Sequence, residues 1–151
     1  MALQKVYIGA DHAGFLLKEK IKRWLVSKKI PVEDLGNLKL DKKDDYPDYA
    51  LKVARKIVLE KSKGILCCGS SQGVCVTANK VRGVRAVAPT TMNETQLARE
   101  HLDANVICLS GWNTPDSLAR KMIGQFLQTP FSGEERHVRR INKITKIEQS
   151  K

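Results

Sequence analysis

Short apolar runs alternate along the chain with segments whose apolar residues recur every three or four positions. Residues 5–10 (KVYIGA) make a strand-length run that stops at Asp11. Leu17, Ile21, Trp24 and Leu25 then fall at helical spacing, so residues 14–28 are expected to form an amphipathic helix. Residues 31–36 (PVEDLG) predict a short second strand closed by Gly36, and residues 37–45 a polar surface loop. Pro47 suits the first turn of the next helix, whose apolar face would be Ala50, Val53, Ala54, Ile57 and Val58. A third strand over 64–68 (GILCC) leads through a turn at residues 69–73 into a short helix running to Lys80. Three further elements follow: a strand over 84–89, a helix over 92–102 and a strand over 105–111. A helix carrying Leu118, Met122, Ile123, Phe126 and Leu127 comes next. The last helix, over 134–149, carries Val138, Ile141, Ile144 and Ile147.

Five strands alternating with helices predict an α/β fold, a doubly wound three-layer domain with a five-stranded parallel sheet, formed by residues 1–151 as a single unit. Ligands in such sheets sit beyond the carboxyl ends of the strands. That directs attention to Asp11 and His12, to residues 68–73, to Thr90 and Thr91, and to residues 110–113.

The formal charge of +11 raises the question of nucleic acid. Much of the excess is lysine, as at Lys18, Lys20, Lys22, Lys28 and Lys29, and a solvated helix face accounts for these. Only 5% of residues are aromatic, with none interleaved among basic residues as a stacking platform. A general basic field still draws in small anions such as phosphates. No apolar run approaches the ~18 residues of a membrane span, and residues 1–14 contain no apolar signal core. The expectation is a cytoplasmic protein that engages neither nucleic acid nor membrane, with its four cysteines reduced.

The turn at 69–73 carries the strongest chemical signal. A glycine-flanked turn between strand and helix exposes backbone N–H groups at which an oxyanion can sit. Cys68 lies on the last strand position before it. A free thiol of pKa ~8.5 is only about 3% thiolate at pH 7, so a base at this position needs its thiolate stabilised. The default for a free cysteine is a small core hydrophobe. That account serves Cys67, Cys75 and Cys108, while Cys68 is open to either reading. The cysteine spacing does not suit zinc. Gly69-Ser70-Ser71-Gln72-Gly73 matches G-x-S-x-G, but a hydrolase would also need an acid and a histidine downstream, such as Asp116 and His137. A phosphate-binding P-loop fails because no G-K-[ST] closes the turn.

Several segments in one order resemble a known family: GADHAGFLLKEKIKRWL (9–25), DYPDYA (45–50), CGSSQG with ANK (68–80), GVRAV (83–87), AREHLDANV (98–106) and GEERHVRRI (133–141). Together they are similar to ribose-5-phosphate isomerase type B and to the related galactose-6-phosphate isomerase subunits. The resemblance implies a flavodoxin- or Rossmann-like enzyme that interconverts aldose and ketose phosphates through a cis-enediol, with no metal and no cofactor. It implies Cys68 as the base that moves the proton. The N–H groups around Gly69, Ser71 and Gly73 would steady the enediolate, and Ser70 would polarise the carbonyl.

By the same resemblance, Asp11 is an acid near the substrate hydroxyls, although a helix N-cap would also explain it. His101 matches a histidine that opens the furanose ring. Arg136 and Arg140 match a phosphate-binding pair, His12 joins them, and Tyr46 contacts substrate. Pockets shared between two subunits imply a homodimer or homotetramer, or a heteromer. Four positions depart from the pattern. Leu102 stands where an asparagine is expected, Trp112 in place of an arginine, Ser71 in place of a glycine, and Val74 where a subgroup carries glutamate. An extra residue falls near 113–116. These departures leave room for a six-carbon or rarer sugar phosphate, or for a homologue that binds without catalysis.

Overall fold

The central strands are apolar at nearly every position, as a sheet covered on both faces requires. In the computed structural model, which describes residues 3–150, β1 (Val6–Ala10), β3 (Lys63–Cys68) and β5 (Val106–Ser110) are buried throughout apart from Lys63. Two short strands flank them, β2 (Val32–Asp34) and β4 (Ala86–Val87). All pairings are parallel, and the order is β2-β1-β3-β5-β4. The expected three-layer doubly wound architecture is therefore present, with α1 (Phe15–Ser27), α2 (Tyr46–Glu60), α3 (Gln72–Ala78), α4 (Met92–Leu102) and α5 (Asp116–Gln128) around the sheet. The helix α6 (Glu135–Gln149) follows.

The two faces have separate cores. Leu17, Ile21 and Leu25 of α1 pack with Ala98 of α4 and with Ala119, Met122, Ile123 and Phe126 of α5. On the other face Ala50, Val53, Ala54 and Ile57 of α2 pack with Val74 and Ala78 of α3. Right-handed crossovers explain this partition, because connections leading one way across the sheet use one face and those leading back use the other. The direction reverses between β1 and β3, which opens a crevice at their carboxyl ends.

Three local expectations change. Val58 turns away from the α2 face and is exposed. The strand expected over 84–89 shrinks to two ladder residues, because Arg85 donates its backbone N–H to the Asn105 side chain at 2.7 Å. Lys18 and Lys22 are not both solvated: Lys18 is 0% exposed. Its Nζ donates to Asp34 at 2.7 and 3.0 Å and to the Asn37 carbonyl, while Lys22 reaches Asp34 at 2.7 Å. Burial alone would raise the Asp34 carboxyl. The hydrogen bonds from Lys18, Lys22 and the Gly36 N–H outweigh it and hold the pKa below the ordinary carboxylate value.

Replacing Lys18 with Ala leaves the Asp34 carboxylate with Lys22 and the Gly36 N–H alone and empties the buried space the lysine stem filled, which should cost about 1–3 kcal/mol in urea unfolding. The pair's contribution is present above the carboxylate's unfolded pKa and disappears as pH falls through its lowered folded value. The difference between wild type and Lys18→Ala should therefore narrow in strong acid.

Candidate active site

At the carboxyl ends of β1, β3 and β5 the chain makes three sharp departures, and these build one site. Cys68 ends β3 and is buried, opposite Ser110 at the end of β5. The Ser110 hydroxyl donates to the Gly69 carbonyl at 2.5 Å, and Gly111 and Trp112 donate their N–H groups to the Cys68 and Gly69 carbonyls at 2.8 and 3.1 Å. Those bonds lock the turn after β5 against the turn after β3. Ser71 initiates α3 at φ 69°, in the left-handed region, where a serine replaces the glycine that such geometry favours. Ser70 is exposed, and its hydroxyl accepts weakly from the Gln72 N–H at 3.4 Å.

Two glycines of the turn are dictated by aromatic neighbours. A β-carbon on Gly69 would stand 2.5 Å from the Trp112 indole, and one on Gly73 would stand 2.6 Å from the Tyr46 ring. Tyr46 and Trp112 thus flank the turn on which Cys68 sits. Trp112 is 73% exposed, so most of its ring faces outward from that turn.

Asp11 is buried just beyond β1, and its Oδ1 accepts the N–H groups of Ala13 and Gly14, both at 3.0 Å. These bonds close the turn ahead of α1, whose cap position is Gly14, so Asp11 is not the N-cap of that helix. His12 donates its backbone N–H to Asp44 at 2.9 Å, and its Nδ1 lies 2.8 Å from the same oxygen. That hydrogen bond, with the Asp11 and Asp44 charges behind it, raises the His12 pKa above its ordinary 6.5. Asp44 is in turn held by the Asn37 amide at 2.6 Å. The polar loop of residues 37–45 is thus not merely a surface loop, for it buries Asn37 and delivers Asp44 to the site. Ligand-type atoms of Asp11, His12 and Asp44 lie within 4.8 Å of one another, a spacing that could hold a cation. His12 and Asp44 already hydrogen-bond to each other there. Sequence reading missed Asp44, whose only signal was its place one residue before the DYPDYA segment.

The remaining candidates form a second cluster. His101 occupies the last turn of α4, beside the amino end of the sheet, where Arg85 holds the Leu102 carbonyl at 2.7 Å. It shares a cleft of about 570 Å³ with Leu102, His137 and Arg140. Arg136 lies one turn earlier on α6 and contacts Glu134 at 3.0 Å. Within one chain, then, Asp11, His12, Tyr46, Cys68 and the 69–73 turn converge at the carboxyl ends of the strands, while His101, Arg136 and Arg140 do not join them. The hydrolase constellation is absent. Asp116 pairs with Arg120 at 3.1 Å, and His137 belongs to the second cluster, not to Ser70.

Residues 6–144 match the ribose/galactose isomerase family. The chain belongs to that family. It is 44% identical over 146 residues to the probable ribose-5-phosphate isomerase B of Mycoplasma genitalium, covering 95% of each chain. Against ribose-5-phosphate isomerase B of Escherichia coli the identity is 36%, covering 97% of this chain and 98% of that one. The crystal structure of the M. genitalium enzyme with bound ribulose-5-phosphate superposes with a TM-score of 0.92 at 42% identity, covering 97% of both chains. As a member of this family the chain is an aldose–ketose isomerase. All four of its cysteines are free, and among the described residues no helix is long and apolar enough to cross a membrane.

Asp44→Asn removes the partner that raises the His12 pKa, which should fall back toward 6.5 in an NMR titration. The pairing stabilises the folded chain fully below 6.5 and fades as pH rises through the raised value. Wild type and variant should therefore differ most in acid and converge at alkaline pH.

Proposed function

We propose that this protein interconverts ribose 5-phosphate and ribulose 5-phosphate through a cis-enediol, with Cys68 carrying the proton. The observation that carries the reading is the convergence of Cys68, Asp11, Tyr46 and the 69–73 turn at the strand ends of a chain whose relatives bear that activity in their names. The Cys68 thiolate removes the proton from C2 of the open-chain aldose, and the electron pair moves onto O1. N–H groups of the turn hold the resulting enediolate. The same thiol returns its proton to C1 as the C2 hydroxyl becomes the carbonyl, with Asp11 beside the oxygens that exchange protons. His12, whose pKa the Asp44 hydrogen bond raises, and the arginines Arg136 and Arg140 receive the phosphate.

The second cluster completes the site from another chain. Within one chain His101 and Arg140 line a separate cleft beside β4 and α4, which contains neither Cys68 nor the 69–73 turn. α6, meanwhile, leaves Val138, Ile141, Ile144 and Ile147 partly or fully exposed, and Leu97 and Leu102 are exposed at the cleft. An assembly of at least two copies would cover these side chains and bring the clusters together. A second reading, a six-carbon sugar phosphate, rests on the Trp112 indole lying where a smaller or charged side chain would leave a different pocket wall.

Cys68→Ala should lower kcat by at least about 10²-fold in a coupled assay with chelator present, while phosphate binding by calorimetry persists. Near wild-type turnover would sink the thiol mechanism. A panel of five- and six-carbon phosphates decides the substrate. Assayed from ribose 5-phosphate, co-expressing Cys68→Ala with His101→Gln should give about a quarter of wild-type activity from two impaired parents, since random pairing gives one intact shared site in half of the dimers.

A further inference from the structure

His137 has no part in the mechanism above, yet it is the only buried residue of α6. Its ring lies against that of His101, with centroids 4.2 Å apart and planes inclined by 33°. Its Nδ1 lies 2.8 Å from the Ser132 hydroxyl, and that oxygen already accepts the Glu134 N–H at 3.3 Å. The Glu134 N–H takes one of the two lone pairs of that oxygen, and the remaining capacity of the hydroxyl ties down the His137 ring. Burial first, and the neighbouring His101 second, lower the His137 pKa below its ordinary value.

We propose that His137 is a positioning residue: anchored by Ser132, it holds the His101 ring by stacking so that one edge stays turned to the cleft shared with Arg140. His101 is exposed and ends a helix, so without a neighbour its imidazole would sample several rotamers. Acid–base transfer to a sugar oxygen needs the ring nitrogen within hydrogen-bond reach. The stack removes the alternatives before substrate arrives, which is where orientation gains rate. Other charged groups face the pair: Glu94 lines the cleft from α4, and Glu134, Arg136 and Arg140 come from α6 and the residue before it. The inference rests on the assignment of His101 to ring opening.

That dependence supplies the test. Ribose 5-phosphate is a furanose and must be opened, whereas ribulose 5-phosphate is acyclic because its C5 oxygen carries the phosphate. In His137→Ala, net interconversion should fall about 10-fold, by the same factor in kcat/KM from either sugar because the equilibrium constant is fixed, while exchange of solvent deuterium into C1 of ribulose 5-phosphate, which needs no ring, stays nearly unchanged. His137→Phe, which keeps a buried ring, should recover most of the loss, and Ser132→Ala should show a smaller loss of the same kind. Should His137→Ala fail to fold, the Ser132→Ala and His137→Phe variants decide alone. A loss of exchange equal to the loss of interconversion, or no loss in Ser132→Ala, overturns the proposal. His101→Gln is the reference. If it loses interconversion while keeping exchange and His137→Ala does not, only the positioning role falls; if His101→Gln loses both alike, the ring-opening assignment falls and takes the positioning role with it.

Discussion

The ammonium group of Lys18 ties the first helix, the second strand and the loop behind the site into one piece. A fully buried cation must be matched by charge and hydrogen bonds or it will not stay charged. Asp34 supplies the charge and the Asn37 carbonyl a further acceptor. From Asn37 the chain of contacts runs through its amide to Asp44, and from Asp44 to both nitrogens that His12 presents. Alternating charges therefore pass from the interior of the fold to the mouth of the crevice. The position of His12 and its tendency to stay protonated both trace back to a lysine that touches no substrate.

The rest of the site is held by close approach. Gly69 and Gly73 admit two aromatic rings against the turn, and the Ser110 hydroxyl pins the turn from the side. Neither ring can move inward, and the turn cannot swell into them without displacing one. This gives a short, exposed loop the rigidity of its neighbouring strands and keeps its N–H groups at fixed positions, the condition under which oxyanion donors are effective. The second cluster is rigid for a different reason, the stacking of two imidazoles between α4 and α6.

Much of the fold was legible because burial imposes a period. The helix expected over 92–102 is α4 to the residue, since Thr91 caps it by accepting the Glu94 N–H at 3.1 Å, and such caps are written locally. The edge strand over 84–89 was overdrawn, because its ladder partner at Arg85 is a side chain from residue 105, which no local pattern records. The lysines were misjudged for a similar reason: Lys18 shares its helix face with Leu17 and Ile21, and the distant Asp34 and Asn37 carbonyl make its burial tolerable. Cys68, Asp11, His12 and the glycines of the turn were singled out by their places after strands and by the resemblance, Tyr46 by the resemblance alone, and the structure brings them to one end of the sheet. Asp44 and His137 were not. Their partners lie 32 residues away in one case, and on another helix in the other.

Cys67 and Cys68 are consecutive in sequence, yet the two-residue period of β3 sends them to opposite faces, Cys67 into the core under α1 and α5 and Cys68 into the one under α2 and α3. Burial pushes the Cys67 thiol far up, so it remains protonated and inert. With the strand intact the two sulfurs point apart and cannot join. A bridge between them is open only to a chain in which β3 has not yet been laid down, so this one pairing is a hazard of synthesis and refolding that the strand, once paired, removes.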